Sequence, residues 1–71
     1  MIWFYAKHGH HVRCEVRTAS NGHQFDLVIT DADGSERVER YDDSASVTQR
    51  TLQLEAEWIR QGWDGPFGRE Y

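Results

Sequence analysis

The side chains that could hold a metal gather near the N-terminus: His8, His10, His11 and Cys14, with His23 further along. Zinc takes four nitrogen or sulfur ligands in a closed tetrahedron, and two histidines at i and i+2 of a strand point the same way, so His8 and His10 are the pair that would converge. A turn at His8-Gly9 removes that geometry. The chain has one Cys and neither a Cys-x-x-Cys nor a His-x-x-x-His spacing, and His10 and Cys14 lie more than about 10 Å apart along an extended path. The histidines are therefore expected on a solvent-exposed turn and Cys14 in the core as a small apolar residue, with no metal and no cofactor.

Asp31-x-Asp33-x-Ser35, with Asp42 at the twelfth place, has the outline of a calcium loop. Its sixth position is Glu36 where the sharp turn needs Gly, and its twelfth lacks the bidentate Glu, so an acidic hairpin turn is expected instead. Nucleophilic or acid–base catalysis needs an oriented base and a walled pocket that shifts a pKa. The chain has no Gly-x-Ser-x-Gly and no phosphate-cradling Gly loop, and no buried carboxylate pair stands out, so a non-enzyme with no small-molecule substrate is expected. Phe4, Arg13 and Arg17 fall on one side of the expected sheet, where bases could stack on an aromatic beside guanidinium groups. A net charge of −4 opposes that use, because binding to phosphates depends on a basic surface. Nucleic acid is accordingly the second expectation.

These side chains must be positioned by a very small fold. With 71 residues, the sequence provides for one domain, and ordering it leaves a thin stability margin. A lone Cys excludes an internal disulfide and fits a reducing compartment. No apolar stretch approaches a membrane span, and Ile2 to Ala6 is too short and aromatic for a signal peptide, so a cytoplasmic protein with no membrane partner is expected.

Asn21-Gly22 suits a two-residue type I′ hairpin, and counting outward pairs Thr18 with Phe25, Val16 with Leu27 and Cys14 with Ile29. The opposite side then pairs Arg17 with Asp26 and Arg13 with Thr30. This predicts strands near 11–18 and 23–30. His8-Gly9 predicts an edge strand near 2–7, with Lys7 facing His10. Asp33-Gly34 leads into a fourth strand, 35–41, in one of two registers. A two-residue loop points Val38 inward and Tyr41 outward; a three-residue loop with Gly34 left-handed does the reverse, and a bulge between the two would bury both.

After Tyr41 the apolar period lengthens to 3.6, predicting a helix over 44–61. Asp42, Asp43, Ser44 and Ser46 supply capping oxygens, and Ser46-x-x-Gln49 reads as a capping box. Gly62 fits a Schellman end in which Trp63 folds back on Trp58. The expected fold is α+β, a four-stranded antiparallel meander followed by one helix on one face. Residues 1–63 form the domain and 64–71 a loosely held tail.

The helix carries two apolar stripes, Val47, Thr51, Leu54 and Trp58 in one, Thr48, Leu52, Ala56 and Ile59 in the other. The expected core contains Val16, Leu27, Ile29, Leu52 and Ile59. Either the two stripes merge into one broad core face, or Val47, Leu54, Trp58 and Trp63 are the candidate protein interface, with a homodimer or complex with another protein expected.

Taken together, Cys14-Glu15-Val16-Arg17, Phe25-x-Leu27-x-Ile29, Asp33-Gly34, Glu39-Arg40-Tyr41 and Gly62-Trp63 resemble a set of short, uncharacterised bacterial proteins over residues 3 to 63. The resemblance implies a bacterial cytoplasmic protein without an assigned activity and carries over no catalytic residue. The helix with its Gly-aromatic end is also similar to WGR-type domains, but their Trp-Gly-Arg motif is absent.

Overall fold

A computed structural model describes residues 1–70. Among these, five strands and one helix follow in the order β1 (Ile2–Lys7), β2 (His10–Thr18), β3 (Phe25–Thr30), β4 (Glu36–Tyr41), α1 (Ser44–Arg60) and β5 (Asp64–Glu70). The strands form one antiparallel sheet in the order β4-β3-β2-β1-β5. Its core side carries Trp3, Tyr5, Val12, Cys14, Leu27 and Ile29, all buried under α1.

The turns set the registers. His8 and Gly9 both have positive φ, 50° and 80°, and close β1 on β2 with Lys7 opposite His10. The His8-Gly9 turn, and not Asn21-Gly22, thus has the two left-handed residues of a type I′ turn. At the second hairpin only Gly22 is left-handed, with φ 74°, and the Ala19 and Gln24 backbones close a four-residue loop. Asn21 Oδ1 accepts from the His23 and Gln24 amides, holding that loop open by side-chain bonding. Loops of two and four residues leave the same pairing parity, so Thr18 still faces Phe25, Val16 faces Leu27 and Cys14 faces Ile29.

The third hairpin takes the three-residue form. Asp31 N–H donates to Ser35 O, and Gly34 has φ 89°. Val28 therefore faces Val38 and Phe25 faces Tyr41, turning Val38 to the open side and Tyr41 to the core side.

Asp43 caps α1, its carboxylate accepting from the Ser46 amide at 2.7 Å. At the other end Trp63 N–H donates to Trp58 O and Gly62 N–H to Ile59 O, with Gly62 at φ 93°, which is the expected Schellman end. The chain then continues as β5 along β1, so residues 64–70 belong to the sheet where a loose tail was expected, and β1 is an interior strand, not an edge. Tyr71, the last residue of that expected tail, lies outside the described residues. Gly65, Pro66 and Gly68 hide the strand because they are breaker residues. An edge strand tolerates them, since Pro needs no partner for a missing N–H there. β5 pairs Asp64 with Ala6, Phe67 with Phe4 and Glu70 with Ile2, taking one extra residue at each step.

Candidate interaction surfaces

The apolar side of one sheet covers one helical stripe, and the stripe it covers is the one expected to meet a partner. Val47, Leu54 and Trp58 are buried at 4%, 6% and 7% exposure, while Leu52 and Ile59 stand 58% and 50% exposed. Three contacts fix that rotation of α1. The Trp58 ring packs on Tyr5, with centroids 5.0 Å apart. Arg50 reaches Glu39 on β4, and Lys7 Nζ donates to Gln61 O at the helix end. With a residue every 100°, turning Trp58 and Leu54 toward the sheet carries Ile59 and Leu52 out of it. Trp63 is half-buried against the same core, with Lys7 Nζ 5.8 Å from its ring centroid. Val16, also expected deep in the core, is half-buried at its rim.

The open side of the sheet brings some of the expected nucleic-acid residues together and separates others. Phe4 and Arg13 are direct cross-strand neighbours. The Phe4 ring lies between His11 and Phe67, with centroids 5.5 and 5.6 Å away. Arg17 is four residues from Arg13 on the same strand, a separation of about 13 Å. Asp26 faces Arg17 in register, but its carboxylate takes Arg40 from β4 instead, at 2.8 and 3.3 Å. The Arg40 hydrogen bonds hold the Asp26 carboxyl below the usual carboxylate range.

A hollow of about 410 Å³ sits at one end of the sheet, lined by Lys7, His8, His10, Ala32, Asp33 and Trp63. Its charged groups are engaged locally: Lys7 with Gln61, and Asp33 with the Ser35 amide and hydroxyl. His8 lies in the β1–β2 turn and His10 opens β2 just after it, His11 lies against Phe4 on the open side and His23 stands at the opposite end of the β2–β3 hairpin. Cys14 is fully buried on the core side, where burial pushes its thiol pKa up to about 12. Among the described residues, no three His, Cys, Asp or Glu side chains converge as metal ligands.

One surface escaped the sequence reading. β4 is an edge strand six residues long, Glu36-Arg37-Val38-Glu39-Arg40-Tyr41, and its central Val38 is 58% exposed. On its core side, Glu39 accepts from Arg50 and from the Tyr41 hydroxyl, and the Arg50 hydrogen bonds hold its carboxyl low. The signal in the sequence was the alternation of charge about a single valine, which the register uncertainty at Asp33-Gly34 concealed.

No helix is long and apolar enough to cross a membrane among the described residues. Compared with protein-family models, with curated proteins and with solved structures, the chain matches none.

Proposed function

We propose that this chain is a small, non-enzymatic interaction domain that associates with a second copy of itself, in the cytoplasm. The observation that carries it is the exposure of β4: a regular edge strand with an exposed valine at its centre, in which Glu36, Arg37 and Arg40 are exposed as well. Exposed strand edges are templates for pairing, and sheets that stay monomeric usually shorten, bulge or cover them. The other edge of this sheet is defended in that way, since β5 carries Pro66 and shifts register against β1 twice. Leu52 and Ile59 add apolar surface on α1. A second copy is favoured as the occupant because β4 carries both signs of charge in equal number, Glu36 and Glu39 against Arg37 and Arg40, and so matches itself. Molecular mass by sedimentation equilibrium tests this: a dimer at about 100 µM supports self-association, and a monomer at that concentration refutes it.

A second reading rests on the Phe4, His11 and Phe67 rings grouped beside Arg13 on the open side. Such a cluster can stack single-stranded bases. Titration with single-stranded RNA at low salt would show binding that weakens steeply as salt is added, and no binding retires it.

A further inference from the structure

We infer that two copies join through their β4 edges in one antiparallel register, with a two-fold axis passing between the two Val38 residues and perpendicular to the sheet. This interface rests on the self-association proposed above and states how it is built. The direction of the backbone groups of β4 limits how it can pair. The Asp31–Ser35 hydrogen bond makes that pair a bonded one, and bonded pairs alternate along an antiparallel ladder. Following the β3–β4 register, Ile29–Arg37, Leu27–Glu39 and Phe25–Tyr41 are bonded pairs. The Ala19–Gln24 hydrogen bond at the other hairpin gives a consistent count, since it commits Asp26, Val28 and Thr30 to β2. The N–H and C=O groups of Glu36, Val38 and Arg40 therefore point away from the sheet, along its free edge.

Only registers that match these three residues with the same three on a second copy make main-chain hydrogen bonds. When Val38 faces Val38 of the second copy, Glu36 faces Arg40 and Arg37 faces Glu39, each twice by symmetry. Every charged residue of the segment 36–40 then meets an opposite charge, and the exposed valines meet each other. Sliding by two residues in one direction sets Arg37 against Arg37; sliding in the other sets Glu39 against Glu39. Like charges directly opposite on neighbouring strands are destabilising. Charges on an edge ordinarily deter pairing. Here their order is self-complementary about Val38, so they select one register, while main-chain bonds hold the strands together.

The faces also agree. Val38 lies on the open side, and a two-fold perpendicular to the sheet keeps both α1 helices on the same side of a continuous ten-stranded sheet.

The test compares the wild-type chain with Val38→Pro, Val38→Lys, Glu36→Lys and Leu52→Lys by sedimentation equilibrium, each checked by far-UV circular dichroism. Val38 N–H faces away from β3, so proline removes no bond of the monomer's own ladder yet blocks the join. Lysine at 38 sets two ammonium groups on the axis, and lysine at 36 sets like charges opposite at two places, weakening association about tenfold or more. The expected result is a dimeric wild type, folded monomers for Val38→Pro and Val38→Lys, a weakened dimer for Glu36→Lys and an undisturbed dimer for Leu52→Lys. Should proline unfold the chain, the two lysine variants at 36 and 38 decide, and wild-type mass in both overturns the interface. A dimer lost only in Leu52→Lys overturns it while leaving self-association standing. A monomeric wild type overturns both.

Discussion

Glu39 on β4 and Arg50 on α1 form a two-pronged ion pair across the junction of sheet and helix, with Arg50 Nε 2.8 Å from Glu39 Oε1 and Nη2 3.2 Å from Oε2. The Tyr41 hydroxyl donates to the same Oε1 at 2.6 Å. The pair stands near the start of the helix and complements the Trp58–Tyr5 ring contact near its end, so α1 is pinned at two separated points.

Replacing Glu39 with Gln should lower stability by about 1 kcal/mol at neutral pH, the scale of a partly exposed, bidentate pair. Its pH dependence has a definite sign. Arg50 holds the folded-state carboxyl below its ordinary 4.5, so the contribution is present above that value and is lost as pH falls through the folded-state pKa. Urea unfolding at pH 7 and pH 3 is expected to show a gap between wild type and Glu39→Gln that narrows in acid; a gap that widens would contradict the ion pair.

Trp58→Gln should unfold the protein or cost roughly 3–5 kcal/mol, because the indole fills the core against Tyr5. Leu52→Gln, on the exposed stripe, should change monomer stability by about 0.5 kcal/mol or less. Thermal melts of the two variants side by side check the rotation of α1, and equal losses would contradict it.

That rotation marks the limit of what the sequence makes legible. Both stripes have the right period, and periodicity alone does not say which one a single sheet will cover. Leu52 and Ile59 look as buriable as Leu54 and Trp58; the choice depends on Tyr5, Glu39 and Lys7, contacts that are remote in sequence. Strand pairing was far more legible, because apolar alternation fixes parity even where the turn type is mistaken, as at Asn21-Gly22. β5 was hidden for the opposite reason. Gly65, Pro66 and Gly68 break the local signal, and only the unsatisfied edge of β1 gives the segment a place to pair.

Gly65 offers a check on that placement. Its φ is 147°, and a Cβ there would lie 2.7 Å from Tyr5 Cδ2 and 3.0 Å from Phe4 O. Gly65→Ala should therefore destabilise the fold by about 1–3 kcal/mol through strain and overlap. Gly22→Ala, at φ 74° with open space around it, carries the backbone cost alone, about 1–2 kcal/mol. Chemical denaturation is expected to show the larger loss for Gly65→Ala; a Gly65→Ala protein as stable as wild type would mean that β5 does not lie against Tyr5.

Cys14 should resist thiol reagents in the native protein. Full burial excludes the reagent and raises the pKa to about 12, leaving little thiolate at neutral pH. Labelling is expected to accelerate only as urea unfolds the chain, in step with loss of circular dichroism. Rapid labelling without denaturant would remove Cys14 from the core side of β2.

Amide hydrogen exchange at Glu36, Val38 and Arg40, followed across a dilution series, tests self-association through β4 most directly. In a lone copy these three N–H groups face solvent, whereas those of Arg37, Glu39 and Tyr41 are bonded to β3. Protection of Glu36, Val38 and Arg40 that rises with protein concentration, while Arg37 and Glu39 stay protected throughout, is the expected result. Fast exchange at all three positions at every concentration, including those where the mass is that of a dimer, would contradict it.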